Sequence, residues 1–156
     1  MLTHVDPKNR PKMVDVGDKS VTHRTARARC SVRFPSDVAK QLRVSNFTSK
    51  KGPVFQTAII AGVMAAKKTH ELIPFCHPLM IEDCSIDIEL DDNDEAVVEC
   101  RVSVHDKTGV EMEALTGASI AALTIYDMCK ALSHDIVISE IRLVEKRGGR
   151  SDFENE

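Results

Sequence analysis

The 156-residue chain predicts an α+β fold of the ferredoxin-like, split β-α-β-β-α-β kind, an antiparallel sheet with helices packed on one face. Three observations carry this expectation. Two stretches that alternate apolar and polar residues flank a DDND turn and read as a hairpin; a third alternating stretch precedes a first apolar helix; a longer apolar helix separates the hairpin from a last strand.

Residues 1–23 hold Pro7, Pro11, Gly17 and many charges, so they read as an N-terminal arm pinned at best by Met13, Val14 and Val16. From Arg24 to Phe34, Ala26, Ala28, Cys30, Val32 and Phe34 share one parity and Arg27, Arg29, Ser31 and Arg33 the other, the pattern of a half-buried strand. Pro35 and Ser36-Asp37 open a short helix to about Val44, followed by a polar loop over 45–53. Between Val54 and His70, Val54, Ala58, Ile59, Gly62, Val63 and Ala66 recur at threes and fours, a helix closed by Pro74 and Pro78. Ile86, Ile88 and Leu90 form one hairpin strand, and Val98, Cys100, Val102 and Val104 the other. The long helix runs from about Val110 to Leu132 and the last strand from Ile136 to Val144. One domain thus spans 24–146, and 147–156 is a basic Gly-Gly tail.

A net charge of -3, one Tyr and no Trp argue against nucleic acid or an anionic membrane as the main partner, because neither a basic field nor stacking rings are on offer. Apolar stretches stop short of a membrane span and the first residues lack a signal-peptide core, so a soluble, cytoplasmic protein is expected. Five scattered Cys with no C-x-x-C pair fit a reducing compartment, and no zinc spacing is present.

The polar residues that do not fit their surroundings point to chemistry. Thirteen uncharged residues, Ala114 to Tyr126, lie between Glu113 and the pair Asp127 and Lys130. Ions bounding a buried helix cost roughly several kcal/mol each unless paired or useful. Asp127 and Lys130, three apart, share one helix face, which suits a helix-end ion pair as well as a reactive one. A lysine lowered in pKa by burial and like-charged neighbours would serve as a base. Arg24 has the parity of the apolar face, so it either snorkels at a strand end or points toward the core or a partner subunit. Lys50-Lys51-Gly52-Pro53 precedes a helix start where donors and ammonium groups suit phosphate, or are simply solvated. His77, between Pro74 and Pro78, is held on a stiff connector, for proton transfer or for a structural hydrogen bond. Glu111 and Glu113 fall in the first turn of the long helix, where carboxylates also favour the helix dipole. Lys146-Arg147-Gly148-Gly149-Arg150 suits an anion or a mobile tail. Walker, Rossmann and G-x-S-x-G signatures are missing. The inventory matches acid/base chemistry on a phosphorylated small molecule, with an anion-binding regulatory module as the alternative.

The blocks MVDVGDKSVTHRTARA, KGPVFQTAIIAGVMAAKKTHELIPFCHPL, KTGVEMEALTGASIAALTIYDMCKA and KRGGRS resemble the cyclic pyranopterin monophosphate synthase family, MoaC, of molybdenum cofactor biosynthesis, from Met13 to Ser151. The resemblance implies a lyase acting on a cyclised dihydro-GTP triphosphate supplied by an upstream radical enzyme. It implies a homo-hexamer, a trimer of dimers, with active sites at subunit interfaces. It carries the catalytic roles to Asp127 and Lys130, and substrate-binding roles to Phe75, Cys76, His77, Met112 and Glu113. Arg24, Lys51, Lys68 and Lys146 become triphosphate holders or proton-transfer groups. No protein-bound cofactor or metal site is expected, only Mg2+ as a counter-ion of the triphosphate. Because Glu113 and Asp127 stand at opposite ends of a long helix, a neighbouring subunit is expected to supply one end of the site.

Overall fold

A computed structural model describes residues 4–155. The first three residues of the arm and Glu156 of the tail lie outside the described residues. The elements in chain order are β1 (Thr22–Arg33), α1 (Ser36–Val44), β2 (Thr48–Ser49), β3 (Gly52–Pro53), α2 (Val54–Ala66) and α3 (Thr69–Leu72). They continue with β4 (Asp83–Leu90), β5 (Glu95–Asp106), α4 (Glu111–Cys129), β6 (Val137–Arg147) and β7 (Phe153–Glu154). One antiparallel sheet has the order β4-β5-β1-β6-β7. Strand β5 lies between β1 and β4, the two strands joined through α2, so the β-α-β unit is split as the ferredoxin-like arrangement requires.

Strand parity sorts the sheet faces. Ala26, Ala28, Cys30 and Val32 of β1 and Val98, Cys100, Val102 and Val104 of β5 are buried with α2 and α4 in one core. The opposite face carries Arg27, Arg29, Glu99 and Arg101. Arg27 and Arg101 stand directly across from one another, a repulsive pairing, and Glu99 compensates it. Its carboxylate lies 3.2 Å from Arg27 and 3.3 Å from Arg29, and pairs with Arg101 as well.

Helices α2 and α4 press together at glycines. A Cβ on Gly62 would lie 2.7 Å from the Gly117 carbonyl, and one on Gly117 would lie 2.7 Å from Cys100 Sγ. Small residues flank the contact, Ala58 and Ala66 on α2 and Ala118 and Ala121 on α4, so the two backbones approach closely over the sheet. This packing makes the pair apolar and leaves the helix ends as the places where charge gathers.

The structure departs from the sequence-based element limits at several points. Helix α2 stops at Ala66 rather than near His70, because the buried Thr69 turns its hydroxyl back onto the Ala66 carbonyl at 2.9 Å and α3 begins as a separate turn. The loop over 45–53 contains the small β2-β3 hairpin. Strand β6 carries register shifts opposite β1, with Glu140 at a φ of 55°, so its bulges blur the simple alternation. The tail turns back and sets Phe153 beside Lys146 as β7.

Candidate active site at the two ends of helix α4

At the C-terminal end of α4, Asp127 is held between two ammonium groups. Lys130 Nζ lies 2.8 Å from Asp127 Oδ1, as their spacing of three on one helix predicts. Lys51 Nζ lies 2.7 Å from Asp127 Oδ2 and also donates to the Asp127 carbonyl at 3.1 Å. Lys51 reaches this position from the turn of the β2-β3 hairpin. The turn depends on Gly52, whose φ of 114° favours glycine, and is anchored by stacking of Phe47 on Phe55 at 4.7 Å. The bonds from Lys130 and then Lys51 push the Asp127 carboxyl down to about 2, and Asp127 in turn raises Lys130. Lys130 is half exposed and its carboxylate partner raises it, the opposite of the burial and like charge that would turn a lysine into a base. Leu42, Met128 and Leu132 line an adjoining cleft of about 450 Å³.

At the N-terminal end of α4 a second set converges. Phe75, Cys76, His77, Met112 and Glu113 line a cleft of about 320 Å³ together with Lys19 from the arm. Glu113 is only 4% exposed. Burial, aided by the charge of Glu111, pushes its carboxyl up to about 7. Burial and then Glu113 raise the Cys76 thiol, so it faces the cleft as a neutral group. His77 Nε2 donates to the Val14 carbonyl at 2.8 Å. An adjoining cleft of about 200 Å³ collects Arg24, Lys146, Arg147 and Arg150 and shares Lys19 with the first. Arg24 Nε donates to the Asp106 carbonyl at 2.9 Å, and Lys146 Nζ lies 3.2 Å from Glu111 Oε1. Five cations beside a carboxyl raised to about 7 form a surface suited to a phosphorylated ligand with ionisable ring groups.

A model of the MoaC family matches residues 13–149. The chain belongs to the MoaC family. Similar proteins include the cyclic pyranopterin monophosphate synthases of Xanthomonas axonopodis pv. citri, 57% identical, and Xanthomonas oryzae pv. oryzae, 56% identical, each over 97% of this chain and 92% of the relative. The molybdenum cofactor biosynthesis protein 1 of Dictyostelium discoideum is 53% identical over 90% of this chain but only 25% of its own length.

The matched MoaC region contains both clusters except for Arg150, and the structure keeps them apart. Glu113 and Asp127 are separated by fourteen positions of α4, or ~21 Å at ~1.5 Å per residue. Lys51, grouped by sequence with Arg24 and Lys146 as a phosphate cation, instead joins Asp127 at the opposite end. Lys68 is exposed at the start of α3 and lines neither cluster. Lys19 lies within the MVDVGDKSVTHRTARA block, where nothing in its spacing marks it as a site residue; only the path of the arm brings it to both clefts. Among the described residues no group of three or more His, Cys, Asp and Glu side chains is placed to hold a metal ion, and no helix is long and apolar enough to cross a membrane.

The raised carboxyl of Glu113 has a measurable thermodynamic sign. Between about 4.5 and about 7 the folded chain binds this proton more tightly than the unfolded one, so stability falls as pH rises through that window and levels off above it. Glu113→Gln removes the dependence. Denaturant melts should show the variant more stable than the parent by about 1–3 kcal/mol near about pH 8 and little changed near about pH 4. Equal gains at both pH values would contradict the burial of an ionisable Glu113.

Proposed function

We propose that this MoaC-family chain is a cyclic pyranopterin monophosphate synthase, a phosphorus-oxygen lyase. It converts (8S)-3',8-cyclo-7,8-dihydroguanosine 5'-triphosphate to cyclic pyranopterin monophosphate and diphosphate. The observation that carries this reading is the Asp127 carboxylate held at hydrogen-bond distance by Lys51 and Lys130, in a chain so similar to proteins of that name. Asp127 and Lys130 act as the proton-moving pair, with Lys51 beside them as a second donor, while the ring opens and the pterin forms. Glu113, poised near neutrality, and His77 position and protonate ring groups, with Phe75, Cys76 and Met112 shaping the wall. Arg24, Lys146 and Lys19 hold the triphosphate and offset charge as a ribose hydroxyl attacks the α-phosphate and diphosphate leaves. Lys68 has no place in either cleft of a single chain, so any role for it lies across a subunit boundary. Mg2+ accompanies the triphosphate as its counter-ion.

In this reading the working unit is a homo-hexamer built as a trimer of dimers, located in the cytoplasm and fed by an upstream radical enzyme. Two observations support shared sites. The clusters stand ~21 Å apart within one chain, too far for one compact ring system. Ile60 and Met64 of α2 and Leu123 of α4 are 62%, 50% and 53% exposed, apolar surface that a partner subunit would cover.

The test is product analysis. Incubation of the chain with the cyclised nucleotide should release diphosphate and yield a pterin that fluoresces after oxidation. Binding without either product would favour an anion-binding module instead.

A further inference from the structure

The arm crosses the cleft at the head of α4. Val14, Val16 and Lys19 line that cleft together with Phe75, His77 and Glu113. Among the described residues, two side-chain hydrogen bonds attach it: His77 Nε2 to the Val14 carbonyl at 2.8 Å, and Lys107 Nζ to the Gly17 carbonyl at 2.7 Å. Between them the Gly17 amide donates to Asp15 Oδ1 at 2.8 Å and shapes the turn. A carbonyl oxygen only accepts, so the imidazole nitrogen that faces it must carry the proton. In neutral His77 the lone pair therefore lies on Nδ1. Lys107 sits at the junction of β5 and α4 and lines neither cleft, so it reaches the site only through the arm.

We propose that the arm is a positioning element: the Val14 carbonyl holds His77 as its Nε2–H tautomer, making Nδ1 the nitrogen that exchanges a proton with bound substrate, and Lys107 is the positioning residue that clips the arm in place. The use of Nδ1 in turnover rests on the function proposed above, whereas the tautomer and the clip do not. The other charged or titratable groups that face this cleft are His4 and Lys19 of the arm, Cys76 beside His77, and Glu111 and Glu113 of α4. Of these, the arm alone supplies the acceptor to His77 Nε2.

The test is nitrogen-resolved NMR of the full chain with labelled histidine, combined with steady-state kinetics. The unsubstituted protein should show His77 protonated at Nε2. Lys107→Met should mix the two tautomers and lower kcat about tenfold with a smaller change in KM, and Lys107→Arg, which keeps a donor, should restore both readouts. A His77 protonated at Nδ1 in the unsubstituted protein would overturn the proposal without any variant having to fold. Folded Lys107→Met with unchanged tautomer and kcat would overturn the role of the clip. The Nε2–H tautomer in a chain that makes no pterin would uphold the arm and defeat the proposed function; pterin formed by a chain whose His77 carries Nδ1–H would do the reverse.

Discussion

Asp127→Asn lowers turnover of the cyclised nucleotide by about 10²- to 10⁴-fold, the range of a lost general acid or base, and leaves the fold intact. The asparagine keeps the shape and one acceptor oxygen but cannot carry the charge that now sits between Lys51 and Lys130. Lys130, raised by that carboxylate, loses its largest stabilising partner, so the substitution alters both members of the pair. Stability is a separate matter. All three side chains are about half exposed, and water screens pairs of this kind so well that they add little to folding. The depressed carboxyl contributes stability above the ordinary carboxylate range and loses it as pH falls toward about 2, so the comparison belongs near neutrality. Diphosphate release and a circular-dichroism melt, run on the same sample, check both halves. A variant that turned over at the parent rate would remove Asp127 from the chemistry.

Mixing two dead variants should revive the protein. In a two-fold dimer with shared sites, each site takes the Glu113 end of α4 from one protomer and the Asp127 end from the other. Asp127→Asn spoils one end and His77→Ala the other, so each variant alone is inactive at both sites. A mixed dimer has one site with both ends intact and one with both ends lost. After unfolding and refolding an equal mixture, half the dimers are mixed, and activity should recover to about a quarter of the parent value, up from the residual level of either variant. Activity that stays at the sum of the two residual levels would mean that each site is built within one chain, and the ~21 Å separation along α4 would need another explanation.

Much of the frame was legible because its causes are local. The parity of Ala26, Ala28, Cys30 and Val32 announced β1, and the same rule announced β4 and β5 around their acidic turn. The apolar run of α4 was unmistakable, since a helix buried on the sheet and against α2 needs few polar positions. Less was legible where one element answers to another. The end of α2 depends on a hydroxyl that turns back onto its own helix, β6 shifts register twice against β1, and β7 pairs only along the edge that β6 offers. A two-residue strand such as β2 leaves no periodicity to read.

The candidate site divides along the same line. Three-residue spacing alone put Asp127 and Lys130 on one face, and family-like blocks marked His77, Glu113 and their neighbours as a set. Spacing says nothing of partners distant in the chain. Only the tertiary structure moved Lys51 from the phosphate cations to Asp127, left Lys68 outside both clefts, and brought Lys19 and the Val14 carbonyl into the cleft of His77. The reason is physical: short-range periodicity sets which face a residue occupies, whereas a hairpin turn and a crossing arm decide which charges meet across it, and those meetings set the protonation states on which the chemistry depends.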